Sequence, residues 1–229
     1  MSVVQPLGPG IWTVEGPAAT DLLVVPYPTR MTIVRLADGG LWIASPVRVA
    51  KQALDEITAL GPVRHLLSPT PRHHWRLDRW STSFPEARLW SCSLGVATLG
   101  RRSLPARRLG DSPPHDWSGE IEHAVFRGLA FEELTFFHRP SRTLIVEDVL
   151  QSHQRGAGSR LSDAAIRLGG IAHPGGMPRD IKALAWRSTA AHRWAETVQA
   201  WDFETVVLAH GPVLRGREAR TFVERALER

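Results

Sequence analysis

Three short apolar runs in this chain each end in side chains able to ligate a metal, and this limits the fold more than any other feature. Val63 to Ser68 runs into Pro69-Thr70-Pro71-Arg72-His73-His74, Thr143 to Val146 into Glu147-Asp148, and Val206 to Ala209 into His210-Gly211. Apolar runs of this length, bounded by turn residues, read as buried strands. Strands of one sheet end along a common edge, so imidazoles and a carboxylate distant in sequence can meet there.

The segments between the runs give the architecture. Met31 to Leu36 and Leu41 to Ala44 flank Ala37-Asp38-Gly39-Gly40, whose Asp and glycines suit a hairpin turn. From Val49 to Leu60, Ala53, Leu54, Ile57 and Leu60 recur at helical spacing, and Gly61-Pro62 stops the helix before the Val63 strand. A strand, helix, strand order favours right-handed crossovers and a mixed sheet covered by helices. Arg155 to Gly158 and His173-Pro174-Gly175-Gly176 bracket a segment with a helix expected around Leu161 to Leu168, so that about 151–185 reads as an insert or lid. Ala219, Phe222, Val223, Ala226 and Leu227 predict a final helix docked by one face. There is no internal repeat, and residues 1–229 read as a single domain.

Composition removes several function classes. Of 28 basic residues only Lys51 and Lys182 are Lys, and the Arg are spread along the chain, so a net charge of +5 does not describe a nucleic-acid-binding tract. The densest group, Arg101, Arg102, Arg107 and Arg108, reads as a solvated loop or as a contact for an anionic ligand. With no apolar run of eighteen residues and no signal-like start, the expectation is a soluble cytoplasmic protein acting on a small molecule, without nucleic-acid or membrane partners. The single Cys92 excludes an internal disulfide and a thiolate-rich zinc knuckle, leaves His and carboxylates as ligands, and reads as a packed strand residue rather than a nucleophile. No phosphate-binding loop, dinucleotide fingerprint or Gly-x-Ser-x-Gly elbow occurs. Of the nine Trp, those at 75, 80, 186, 194 and 201 either line a pocket or fill the core, the core reading being favoured.

Each ligand candidate has an ordinary alternative. His73 can cap a helix, His74 can pack in the core, Asp148 can cap a helix from Val149 onward, and His210-Gly211 can be a simple turn. Adjacent His on a regular helix diverge by about 100°, whereas a turn restrained by Pro69 and Pro71 lets both reach one ion. The coincidence of three strand ends favours a shared site.

Ser68-Pro69-Thr70-Pro71-Arg72-His73-His74-Trp75 resembles the Thr-His-x-His-x-Asp-His motif of the metallo-β-lactamase superfamily, laid on without gaps. Arg127-Gly128-Leu129 through Asp148 is similar to that superfamily's Pro-Gly-His segment, strand, turn and Gly-Asp strand end, and Val206 to Pro212 to its last strand and His-Gly. Arg30-Met31-Thr32, Leu41-Trp42, Ser45-Pro46, His73-His74, Ser141 to Leu144 and Trp201-Asp202-Phe203 resemble a poorly characterised branch known as a domain of unknown function. The resemblance implies a four-layer α/β/β/α sandwich. It also implies that the positions holding one of the superfamily's two ions read Pro69, Pro71 and Leu129, none of which ligates, whereas those of the other read His73, His74, Asp148 and His210. Three imidazoles and a carboxylate suit zinc, iron or manganese better than magnesium or calcium.

The resulting expectation is a hydrolase-like protein with one divalent metal ion, in which His138, Glu133 and His173 are candidates for moving protons. Two alternatives remain open: a non-catalytic descendant of the fold that binds a small molecule or protein, and a mononuclear iron redox protein.

Overall fold

The computed structural model describes residues 3–19, 27–74, 76–154, 156, 159–185 and 188–228. A seven-stranded sheet is hydrogen-bonded in chain order: β1 Gln5–Gly8, β2 Ile11–Ala19, β3 Tyr27–Arg35, β4 Leu41–Ala44, β5 Val63–Ser68, β6 Arg88–Ser91 and β7 Arg107–Arg108. The first four strands are antiparallel, and β4 to β7 run parallel. Parallel neighbours require crossovers, supplied by α1 Lys51–Leu60, α2 Leu77–Ser83 and α3 Ser93–Gly100.

A second sheet has the order β12-β11-β10-β9-β8, from β8 Ile121–Arg127, β9 Glu132–His138, β10 Thr143–Val146, β11 Thr205–Leu208 and β12 Val213–Arg215. Its single parallel pair, β10 with β11, is bridged by α4 Arg160–Gly169, α5 Arg179–Ala185 and α6 Thr189–Ala200, and α7 Gly216–Leu227 closes the chain.

Three apolar layers hold four structural layers together, giving the αββα sandwich. Ile57, Leu77, Trp80 and Leu99 of α1 to α3 pack on Ile33, Ile43 and Leu66 of the first sheet. Between the sheets lie Ile11, Val34, Trp42 and Leu67 from one side and Leu134, Phe136 and Ile145 from the other. Ile181, Trp194, Val198, Phe222 and Val223 cover the outer face of the second sheet.

Most local expectations are met for the reasons given. The β3–β4 hairpin turns through Gly39 at φ 81°, with Asp38 Oδ1 accepting the Gly40 N–H at 2.8 Å. Helix α1 ends at Gly61, where φ is 157° and a Cβ would lie 2.3 Å from the Gly39 carbonyl oxygen. Trp80, Trp194 and Trp201 are core residues whose indole N–H groups reach Val47 O, Thr135 Oγ1 and Glu122 Oε2. Trp75 and Trp186 lie outside the described residues, as does most of Arg155 to Gly158. Cys92 is buried one residue beyond β6, where its Sγ accepts the Gly95 N–H and caps α3; burial pushes the thiol up to about 12. No helix among the described residues is long and apolar enough to cross a membrane.

Segment 151–185 carries α4 and α5, and its Ile166 and Ile171 pack with Tyr27 and Ala172. This contact brings the segment against the end of the first sheet and shapes one wall of the cleft described next.

Candidate metal centre

The loop after β5 leaves the sheet through Pro69 and Pro71, which cannot continue a ladder. Leu134 N–H of β9 donates to Pro69 O at 2.9 Å, so this turn is tied to the second sheet. Within it, Thr70 Oγ1 accepts the Arg72 N–H at 3.1 Å and donates to Asp148 Oδ2 at 2.9 Å. His73 is thereby turned towards the ends of β10 and β11.

There, His73 Nε2, His210 Nε2 and Asp148 Oδ1 converge. The two imidazole nitrogens are 3.2 Å apart, His210 Nε2 is 3.2 Å from Asp148 Oδ1, and His73 Nε2 is 3.5 Å from it. Ligands at 2.0–2.1 Å from a tetrahedral ion sit about 3.3 Å from one another, so the three donors are spaced as a shared ion requires. Their remaining atoms are oriented from behind. His210 Nδ1 donates to Pro28 O at 2.7 Å, His73 Nδ1 faces Ser45 Oγ at 2.7 Å, and Thr70 holds the second oxygen of Asp148. Outer contacts of this kind fix imidazole tautomer and direction at metal sites.

The charge balance is equally specific. Asp148 and Glu147 are both buried around this point. Glu147 Oε2 lies 3.0 Å from His73 Nδ1, close enough to act directly on the imidazole. Burial opposes protonation of His73, but the carboxylates of Asp148 and Glu147 overcome it and hold the imidazole well above its ordinary range. Burial likewise opposes ionisation of Asp148, and His73 and His210 keep it well below the usual carboxylate range. The fold therefore gathers negative charge around a point that favours a cation.

Glu133 stands behind this arrangement. Its oxygens accept the backbone N–H groups of Glu147 at 3.0 Å, Asp148 at 2.8 Å and Val149 at 2.8 Å. Burial, then the Asp148 charge, push its carboxyl up to about 8, against the pull of these N–H donors. It positions the loop bearing Asp148 and does not face the cleft. His138 is at the opposite end of β9, hydrogen-bonded to Ser141 Oγ at 2.7 Å, and His173 is exposed in the turn after Ala172; neither lines the cleft. His74 does line it, but its Nδ1 donates to Pro71 O at 2.7 Å and it stands apart from the three converging donors. Pro69 and Pro71 engage only their carbonyls, and Leu129 is 88% exposed.

The site opens into a cleft of about 650 Å³, the scale of a small-molecule pocket. Tyr27, the only Tyr in the chain, lies edge-on to His210 and His153 on its wall. Arg30 of β3 pairs with Glu15 at 2.6 Å and donates to the Leu208 and Gly211 carbonyls, fastening the His210 turn to the first sheet. Sequence reasoning missed Tyr27, Arg30, Ser45 and Thr70 as site residues, because none has ligand spacing. A signal existed at Ser45, whose partner His73 follows a proline-restrained turn, but only the fold brings the two together.

A family described as a domain of unknown function, DUF4336, matches residues 9–158. The chain belongs to this family. No curated protein matches it. Among solved structures, this DUF4336 chain is similar to a metallo-β-lactamase from Hirschia baltica, with 15% identity, a TM-score of 0.59, and coverage of 97% of this chain and 96% of that one. A β-lactamase domain protein from Burkholderia ambifaria gives 15% identity and a TM-score of 0.62 over 97% of this chain and 71% of that one. The flavodiiron protein from Giardia intestinalis gives 12% identity and a TM-score of 0.67, and this chain spans 97% of itself but 58% of that protein. At these identities the likeness shows the fold: the DUF4336 chain has the metallo-β-lactamase fold.

Proposed function

We propose that this DUF4336 protein is a metal-dependent, hydrolase-like protein that holds one divalent ion through His73, Asp148 and His210. The observation that carries the reading is the convergence of their three donor atoms, 3.2–3.5 Å apart, at the base of an open cleft. Three protein ligands with an open side are the pattern of catalytic rather than structural sites. A bound ion would polarise a carbonyl or phosphoryl oxygen and acidify a water. The residues of the chain do the rest: Ser45 holds the His73 ring with Glu147 beside it, Thr70 fixes Asp148, and Tyr27 presents a phenol beside His210.

A second reading, a non-catalytic binding protein of the same fold, is favoured by one observation: the ligand positions of the neighbouring ion are Pro69, Pro71 and the exposed Leu129. Elemental analysis separates the two, using protein purified without chelator or affinity nickel beside His73→Ala and His210→Ala variants. Near-stoichiometric zinc, iron or manganese that is lost in both variants supports the metal-dependent reading and names the ion. Protein that is metal-free and cannot be reloaded with any of the three overturns it.

A further inference from the structure

The cleft wall carries an imbalance of charge that the metal reading leaves unused. Its lining includes Arg30, Arg48, Arg72 and Arg76 against two carboxylates, Asp148 and Asp180. Arg30 is consumed by Glu15 and two backbone carbonyls, and Asp148 by His73, His210 and Thr70. Arg48, Arg72 and Arg76 are exposed and form no ion pair with any described carboxylate. Arginines without an ion pair occur elsewhere too, Arg79 and Arg101 among them, so what sets Arg48, Arg72 and Arg76 apart is that all three line one cleft together with the converging donors.

Arg72 is also placed with some precision. Its guanidinium lies over the Phe131 ring, 5.2 Å from the centroid, an arrangement that uses the planar face and leaves the N–H edge free for a ligand. Arg72 and Tyr27 both line the cleft that His73, Asp148 and His210 also line. The guanidinium edge, the phenol and the three converging donors therefore look into one space.

We propose that the cleft binds its ligand through an oxyanion, a phosphoryl or carboxylate group, held by Arg72 with Arg48 and Arg76. This rests on the cleft being the working site and adds the chemical class of what enters it. Guanidinium groups recognise both anions through paired N–H donors, and an excess of unpaired positive charge in a concave site raises the local concentration of an anion.

The test is calorimetric titration of the full-length protein with inorganic phosphate and, separately, malonate, with metal content measured on the same samples. Variants are Arg72→Gln with Arg76→Gln, Arg48→Gln alone, and Arg79→Gln as a control on an exposed residue outside the cleft lining. Saturable binding of either probe is expected, weakened at least tenfold in the double variant, several-fold in Arg48→Gln, and unchanged in Arg79→Gln. Tighter phosphate identifies the phosphoryl source, and tighter malonate the carboxylate. Should the double variant fail to fold, Arg48→Gln still decides. Absence of binding by both probes, or binding indifferent to all cleft variants, overturns the proposal. Arg-dependent binding by protein that is metal-free and cannot be reloaded keeps the anion wall and removes the metal reading; stoichiometric metal with Arg-indifferent binding does the reverse.

Discussion

Glu133 Oε2 accepts the backbone N–H of Asp148 at 2.8 Å, so one buried carboxyl group holds the chain that presents another. The same carboxyl group also caps Glu147 and Val149, and all of these groups are buried. Each buried donor left without an acceptor costs about 1–3 kcal/mol. Glu133→Gln, which turns an NH2 group towards N–H donors, is expected to lower stability by about 1–3 kcal/mol, and Glu133→Ala by more. Urea unfolding with an unchanged m-value measures this; an unshifted midpoint in Glu133→Ala would show that the loop is held by other means.

Thr70 tests the outer contacts without touching a donor. Thr70→Val preserves shape and removes the hydroxyl that fixes Asp148 Oδ2. Metal affinity, followed by competition with a chromophoric chelator, is expected to fall roughly 10- to 100-fold while the fold is retained. Equal affinity would mean that Asp148 needs no orientation from behind.

His73 and His74 are adjacent in sequence and unequal in place. His73→Ala is expected to abolish metal retention on gel filtration, whereas His74→Ala, which removes the contact to Pro71 O and a piece of cleft wall but none of the three converging donors, retains near-stoichiometric metal. If His74→Ala empties the protein as thoroughly as His73→Ala, His74 swings in to ligate when the ion binds.

Acid should destabilise the fold through histidines remote from the donors. Burial pushes His65 and His138 down to about 4, and His65 accepts the Trp90 indole N–H at 3.2 Å, a bond that needs the neutral ring. Unfolded histidine titrates near 6.5. Above that pH both states are neutral and the stability is complete. Between about 6.5 and 4 the unfolded chain takes up protons that the folded one refuses, so stability falls as pH falls. Each histidine contributes on the order of 1–3 kcal/mol of this loss. The urea midpoint of the wild type should fall between pH 7 and pH 5, and the fall should be smaller in His138→Gln, with His65 keeping its own share; a fall that the substitution leaves intact would assign the effect elsewhere.

Much of the fold was legible because it rests on local rules. The β3–β4 hairpin follows from Asp38-Gly39-Gly40, α1 from the spacing of Ala53 to Leu60, and α7 from Ala219 to Leu227, each readable within a dozen residues. The convergence of His73, Asp148 and His210 was legible at one remove, since strand ends share an edge. Other features depend on tertiary contact. Glu133 reads as a polar residue on an ordinary strand, and only the packing of β9 beneath the turn after Val146 makes it a three-fold acceptor. His138 lies near ligand-bearing strands in sequence, but β9 is antiparallel to β10, which carries it to the far end. Tyr27 has no motif; its role is set by a β3 start that comes to rest beside the His210 turn.

The division of donors between the two sheets has a consequence for assembly. His73 belongs to the half of the chain built on β5, and Asp148 and His210 to the half built on β10 and β11. Either half folded alone would offer two donors at most, too few to grip an ion firmly. A bound ion would therefore act as a latch between halves, tight only after they dock, and its release under denaturant would report their separation.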